Sequence, residues 1–201
     1  MRSSEAKSLN ALEVGATAAA VPRVHADYTA ESAPRRLEQY GKAGIYSLLK
    51  DRDLTQEEVA ALSSGRFMFI NVWRGITDEP VQRMPLACCD TNSVSDSDRF
   101  LYELIFPDRI GENYSMQFSP NHQWYYYPNQ TKDECLVFKT YDKKEDGPRF
   151  CFHTAFNDPR TTPDSPTRRS IEIRAIAFFP NETDMTNDDM NAAPAPVDHL
   201  A

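Results

Sequence analysis

The 201 residues leave room for one domain with a sizeable core, and 40% hydrophobic with 11% aromatic residues mark the chain as globular. A formal charge of −8, with Lys and Arg scattered along the chain, excludes the positive field that nucleic acid or an anionic membrane surface would need. No apolar run approaches the roughly 20 residues that cross a bilayer, and residues 1–20 lack the apolar stretch of a secretory signal, so the chain reads as soluble and cytoplasmic with no membrane contact.

Residues 1–22 are small and polar, with an Ala-rich run at Ala16–Ala20, and read as a frayed or disordered lead that Pro22 ends. Residues 23–180 read as the folded domain. Val24, Ala26 and Tyr28 alternate with His25 and Asp27, the period of a strand entering a turn. Thr29 or Ser32 caps a helix predicted over Pro34–Leu49, whose stripe is Leu37, Tyr40, Tyr46 and Leu49. Thr55-Gln-Glu-Glu opens a second helix reaching Leu62. After Gly65 the pattern turns to β, with strands predicted at Phe67–Trp73, Pro85–Asp90, Tyr114–Phe118, Gln123–Tyr127, Cys135–Tyr141, Phe150–Phe156 and Arg169–Phe179. Strands in that number, with little helix between them, predict antiparallel sheets packed as a sandwich or barrel. Residues 181–201 are acidic, rich in Asn and Pro and without periodicity, which predicts a disordered tail. Cys88, Cys89, Cys135 and Cys151 show no metal-ribbon or CxxC spacing, and reduced thiols are the expected state in the absence of an export signal.

His25, Asp27 and His153 carry the chemistry of interest. In an extended segment residues i and i+2 project to one face, so His25 and Asp27 can reach one metal, which a helix would forbid. A histidine 126 residues further on completes two imidazoles and one carboxylate, a set that leaves three positions open on ferrous iron for a 2-oxo acid and dioxygen. The rival for that third position is His122, set among Trp124, Tyr125, Tyr126 and Tyr127. It ranks second because Arg168-x-Ser170 follows His153 by 15 residues and nothing comparable follows His122. Arg168, Ser170, Glu172 and Arg174 share one strand face, and the planar fork of an Arg suits a carboxylate, with Arg168 preferred and Arg174 second because Glu172 is placed to pair with it. His122, Trp124 and Tyr126 are candidate walls of an apolar substrate pocket, and Arg74 a candidate substrate contact.

The words around these residues are more specific. Val24-His-Ala-Asp-Tyr-Thr, Phe69-Ile-Asn-Val-Trp-Arg, Pro85-Leu-Ala-Cys-Cys-Asp, His122-Gln-Trp-Tyr-Tyr-Tyr-Pro, Phe138-Lys-Thr-Tyr-Asp, His153-Thr-Ala-Phe-Asn-Asp-Pro and Arg168-Arg-Ser-Ile-Glu-Ile-Arg run in order from Val24 to Phe179. Together they resemble the fungal hydroxylase/desaturase family, which includes gibberellin desaturase, aspergillic acid hydroxylase and the cephalosporin 7α-hydroxylase partner. The resemblance implies a mainly β protein with flanking helices, built on a double-stranded β-helix of the jelly-roll, cupin-like kind. It also implies Fe(II) held by His25, Asp27 and His153, and 2-oxoglutarate held by Arg168 and Ser170. Family members carry a longer segment before the His-x-Asp word than the 24 residues present here, which reads as N-terminal truncation.

The expected function is thus a hydroxylase or desaturase that uses Fe(II), 2-oxoglutarate and dioxygen on a small hydrophobic secondary metabolite. The alternative is a truncated, catalytically inactive relative that serves as a binding or partner protein. Neither the metabolite nor an oligomeric state is legible in the residues.

Overall fold

The computed structural model describes residues 2–3, 18–43, 55–105 and 110–179. The predicted tail 181–201, most of the 1–22 lead, and the Tyr46 and Leu49 end of the first predicted helix lie outside the described residues. In chain order the elements are β1 (Arg2–Ser3), β2 (Ala18–Ala19), α1 (Ser32–Ala43), α2 (Gln56–Ser64), β3 (Arg66–Gly75), β4 (Leu86–Cys89), two 3-10 turns (Thr91–Ser93 and Asp96–Asp98), β5 (Arg99–Ile105), β6 (Ile110–Met116), β7 (Trp124–Tyr126), β8 (Leu136–Asp142), β9 (His153–Ala155) and β10 (Arg169–Phe179). No described helix is long and apolar enough to cross a membrane.

Both helices begin where side chains replace missing backbone partners. Ahead of α1, Thr29 Oγ1 accepts from the Ser32 amide at 2.9 Å and Ser32 Oγ accepts from the Thr29 amide at 2.8 Å. Thr55 and Glu58 form the reciprocal capping box of α2. Ala33 and Leu37 of α1 are fully buried, which anchors the helix to the sheets.

The larger sheet has the order β2-β1-β10-β3-β8. Its centre is the β3–β10 ladder, paired antiparallel without interruption from Gly75↔Ser170 to Arg66↔Phe179. Residues of β3 alternate strictly: Phe67, Phe69, Asn71, Trp73 and Gly75 are buried, while the residues between them are half-buried or exposed. Glycine ends this strand because a Cβ at Gly75 would come within 2.9 Å of Val81 Cγ2.

A second layer is assembled from pieces. β7-β4-β9 form one small sheet and β5-β6 a two-stranded one. The segment at His25–Ala26 joins them: His25 pairs with His153 of β9, with N–H to O distances of 2.9 and 3.2 Å, and the Ala26 amide donates to Tyr114 of β6 at 2.9 Å. Phe67, Phe69 and Tyr141 from the first layer pack with Tyr114, Met116, Phe150 and Phe152 from the second. Two such layers around one core make the jelly-roll form of a mainly β fold.

The strand Arg99–Ile105 was not among those expected. Phe100, Leu101, Tyr102, Leu104 and Ile105 blur the period-two signal, and the strand exists through its pairing with β6. That pairing also moves β6 to Ile110–Met116, upstream of the predicted Tyr114–Phe118. Only His153–Ala155 of the predicted Phe150–Phe156 is ladder.

Candidate metal centre

His25, Asp27 and His153 converge at the seam between the two small sheets. Each offers a ligand atom, and those atoms lie within 4.8 Å of one another. Asp27 Oδ1 is 3.6 Å from His25 Nε2 and 3.9 Å from His153 Nε2. Antiparallel pairing of His25 with His153 brings the two rings to 4.4 Å between centroids. The two-residue step along the extended segment then turns Asp27 to the same side.

Each imidazole is oriented by its other nitrogen. His25 Nδ1 lies 2.8 Å from the Arg23 carbonyl and His153 Nδ1 lies 3.0 Å from the Cys151 carbonyl. A carbonyl can only accept, so Nδ1 carries a proton in both rings and each Nε2 is turned toward Asp27. Phe138 packs edge-on against the His153 ring, 4.9 Å between centroids. His153 and Asp27 are buried, and the His25 side chain keeps 13% of its surface exposed, so the cluster opens on the His25 side.

Asp27 is surrounded by cations and donors. Arg174 Nη2 approaches Oδ1 at 3.2 Å, and Asn71 Nδ2 donates to Oδ2 at 2.8 Å. Burial alone would push the carboxyl up, but the charges of Arg174, His153 and His25 and the Asn71 hydrogen bond outweigh it and hold Asp27 well below the usual carboxylate range. The group is therefore an anionic donor at any physiological pH. Two imidazoles and one carboxylate on one side of an open position form the 2-His-1-carboxylate face that suits ferrous iron.

The remaining sequence candidates separate into two sets. Arg168 and Ser170 are buried: Arg168 lies 5.5 Å from the Trp73 ring centroid and donates to the Met84 carbonyl. The Ser170 hydroxyl, buried just inside β10, has no hydrogen-bond partner among the described residues. Arg174 meets Asp27, and it also pairs with Glu172 at 3.1 Å, the pairing that the sequence suggested.

His122 is not brought to the cluster. Its Nε2 lies 3.0 Å from Asp98 Oδ2, and its amide donates to the Ser119 carbonyl, so it braces the start of β5. Trp124 packs against the main aromatic core. Tyr126 is tied to Asp158 and Arg160 beside a small cavity of about 190 Å³ that Val81 and Pro85 also line. Arg74 stands on the exposed face of β3, opposite Asn71 and Trp73.

Asn71 meets the site, although the sequence marks it only as one letter of the Phe69–Arg74 word. Its signal was a lone amide in the inward register of Phe67, Phe69 and Trp73. It is completely buried, and its Oδ1 has no partner among the described residues.

Comparison with known proteins supplies the remaining context. A family model described as an oxidoreductase/YMDC permease-like domain matches residues 1–178. The chain is similar to the hydroxylase/desaturase efuI of Hormonema carpetanum, at 34% identity over 181 residues, covering 84% of this chain and 55% of that protein. It is also similar to the hydroxylase/desaturase asaB of Aspergillus flavus, at 36% identity over 151 residues, covering 68% of this chain and 65% of that protein. Its structure matches that of the iron and alpha-ketoglutarate-dependent endoperoxidase NvfI with a TM-score of 0.69 and 26% identity, over 88% of this chain and 58% of that one. The chain spans about half to two thirds of the length of these curated relatives.

Proposed function

This chain belongs to the fungal hydroxylase/desaturase family of iron(II)- and 2-oxoglutarate-dependent oxygenases, and from that premise we propose that it oxidises a small hydrophobic metabolite as a hydroxylase or desaturase. The observation that carries the reading is the convergence of His25, Asp27 and His153 at the seam of the two sheets. When bound, ferrous iron with a 2-oxo acid and dioxygen supplies the oxidising power to take a hydrogen atom from an unactivated carbon.

The residues of the chain hold, orient and exclude. His25 Nε2, His153 Nε2 and Asp27 Oδ1 would hold the iron from one side and leave the other to the co-substrate. The Arg23 and Cys151 carbonyls accept from Nδ1 of the two imidazoles and keep each Nε2 turned to the same point, so the rings need little reorganisation when the metal arrives. Arg168 and Ser170 would anchor the distal carboxylate of 2-oxoglutarate: a planar guanidinium and a buried hydroxyl without a partner among the described residues suit an anionic oxygen pair. Trp73 and Phe138 give that region apolar walls that keep water out. The net charge of −8 favours a neutral or weakly polar small molecule over nucleic acid, and four free thiols support a reducing, cytoplasmic setting.

Anaerobic addition of iron(II) and 2-oxoglutarate to the purified chain is expected to give the visible charge-transfer band of a metal-bound 2-oxo acid. A His153→Ala chain is expected to lose it and a His122→Ala chain to keep it. No band from the unaltered chain would favour a relative without chemistry that acts as a binding or partner protein.

A further inference from the structure

Asp27, on the metal reading above, is held by two neighbours whose effects oppose each other. Of its two oxygens, Oδ2 accepts the Asn71 amide at 2.8 Å. Oδ1 lies 3.6 Å from His25 Nε2, 3.9 Å from His153 Nε2 and 3.2 Å from Arg174 Nη2. Oδ1 is thus the oxygen shared with both imidazoles, and Oδ2 is engaged by Asn71.

We infer that Asn71 and Arg174 divide this carboxylate between them. Asn71 is a positioning residue that makes Asp27 a one-oxygen donor, and Arg174 is a counter-cation that occupies the donor oxygen until a divalent ion displaces it. The two residues are direct partners in the β3–β10 ladder, so one register supplies both.

Asn71 is suited to the fixed role. It has no exposed surface, its side chain leaves the central strand of the large sheet, and its donor is committed to Asp27. Without that donor, Oδ2 would be a buried anionic oxygen lacking its hydrogen bond, and the carboxylate would be free to turn.

Arg174 is suited to the exchangeable role. Its side chain keeps 38% of its surface exposed, and Glu172 Oε1 stands 3.1 Å from the same Nη2. The guanidinium can therefore leave Asp27 without losing an anionic partner. A divalent ion and a guanidinium at contact distance from one oxygen repel each other, so arrival of the metal favours the shift to Glu172. In the metal-free protein Arg174 spares Asp27 from being an uncompensated buried charge.

The two roles predict opposite signs in one measurement. Binding of Mn(II) alone, read anaerobically from loss of the free-ion paramagnetic resonance signal, is expected to weaken about 10- to 100-fold in Asn71→Leu, the usual range for removing a group that orients a ligand. Asn71→Ser, which keeps a hydroxyl donor in less volume, is expected to fall between Asn71→Leu and the unaltered chain, and guards against a Leu variant that fails to fold. Arg174→Leu is expected to bind Mn(II) about fivefold more tightly, the equivalent of one exposed ion pair lost. It is also expected to melt at a lower temperature without metal and to gain more from metal than the unaltered chain does. A folded Asn71→Leu chain with unaltered affinity, or an Arg174→Leu chain that binds more weakly, would overturn the division of roles while leaving the metal site standing. An unaltered chain that takes up neither Mn(II) nor Fe(II) would overturn both.

Discussion

Along β3, Phe67 and Phe69 point to the same side as Asn71 and Trp73, yet the two pairs meet different surroundings. Phe67 and Phe69 enter a continuous aromatic packing: Phe69 stacks on Tyr28 at 4.3 Å, and Phe67 lies 5.4 Å from Tyr141, centroid to centroid. Two residues on, the same inward register carries an amide bonded to a buried carboxylate, and beyond it an indole beside a buried guanidinium. Polar atoms at this second end, Asn71 Oδ1 and Ser170 Oγ, are buried without partners among the described residues. One ladder therefore supports two regimes. The aromatic end is packed throughout, and the polar end leaves two buried polar atoms without partners among the described residues.

Substitutions at the two ends should separate these regimes. The largest stability loss is expected for Phe69→Ala, about 3–5 kcal/mol by chemical denaturation, because a fully buried ring leaves a cavity in a packed core. A smaller loss, about 1–3 kcal/mol, is expected for Asp142→Asn, which removes charge-assisted bonds to Arg66 and Lys139 at the far edge of the aromatic end. That loss should depend on pH. Burial raises the Asp142 carboxyl, but hydrogen bonds from Arg66, Lys139 and the Lys144 amide outweigh it, so its folded value lies below the ordinary one. The stabilisation is then present in full above the unfolded carboxylate value of about 4, and it disappears as pH falls through the folded value. Denaturation of both proteins from neutral pH down to acid should show the gap between them closing only below that point. The smallest effect on stability, and one of opposite sign, is expected for Ser170→Ala, a gain of up to about 1 kcal/mol from removing a buried hydroxyl without a partner among the described residues. The same variant should bind 2-oxoglutarate about tenfold more weakly, read by titration of the iron-loaded protein.

The two ends also differed in how much of them the residues disclosed. β10 appears over Arg169–Phe179, the span predicted, because Ile171, Ile173, Ile176, Phe178 and Phe179, with no Gly or Pro among them, read as strand without a partner. The His25-x-Asp27 pair was legible because a two-residue step in an extended chain fixes a shared face. Other features depend on distant pairings that carry no local signal. Asn71 reaches Asp27 across 44 residues and Arg174 across 147, so the role of either is hidden in a strand that reads as core or anchor. His122, the second choice for the distal ligand, meets Asp98, 24 residues before it, through Nε2, a pairing with no local signal. Strand β5 carries Phe100, Tyr102 and Leu104 on one face and mixes Arg99 and Glu103 with Leu101 and Ile105 on the other, so its period-two contrast is weak until β6 pairs with it.

Metal content of the purified chain, counted per molecule after anaerobic loading with iron(II) and removal of excess, tests the central claim most directly. The account predicts one iron per chain for the unaltered protein and for His122→Ala, and none for His25→Ala, Asp27→Ala or His153→Ala. Retention of a full equivalent by the His153→Ala chain, or its loss on replacing His122 alone in a folded chain, would contradict it.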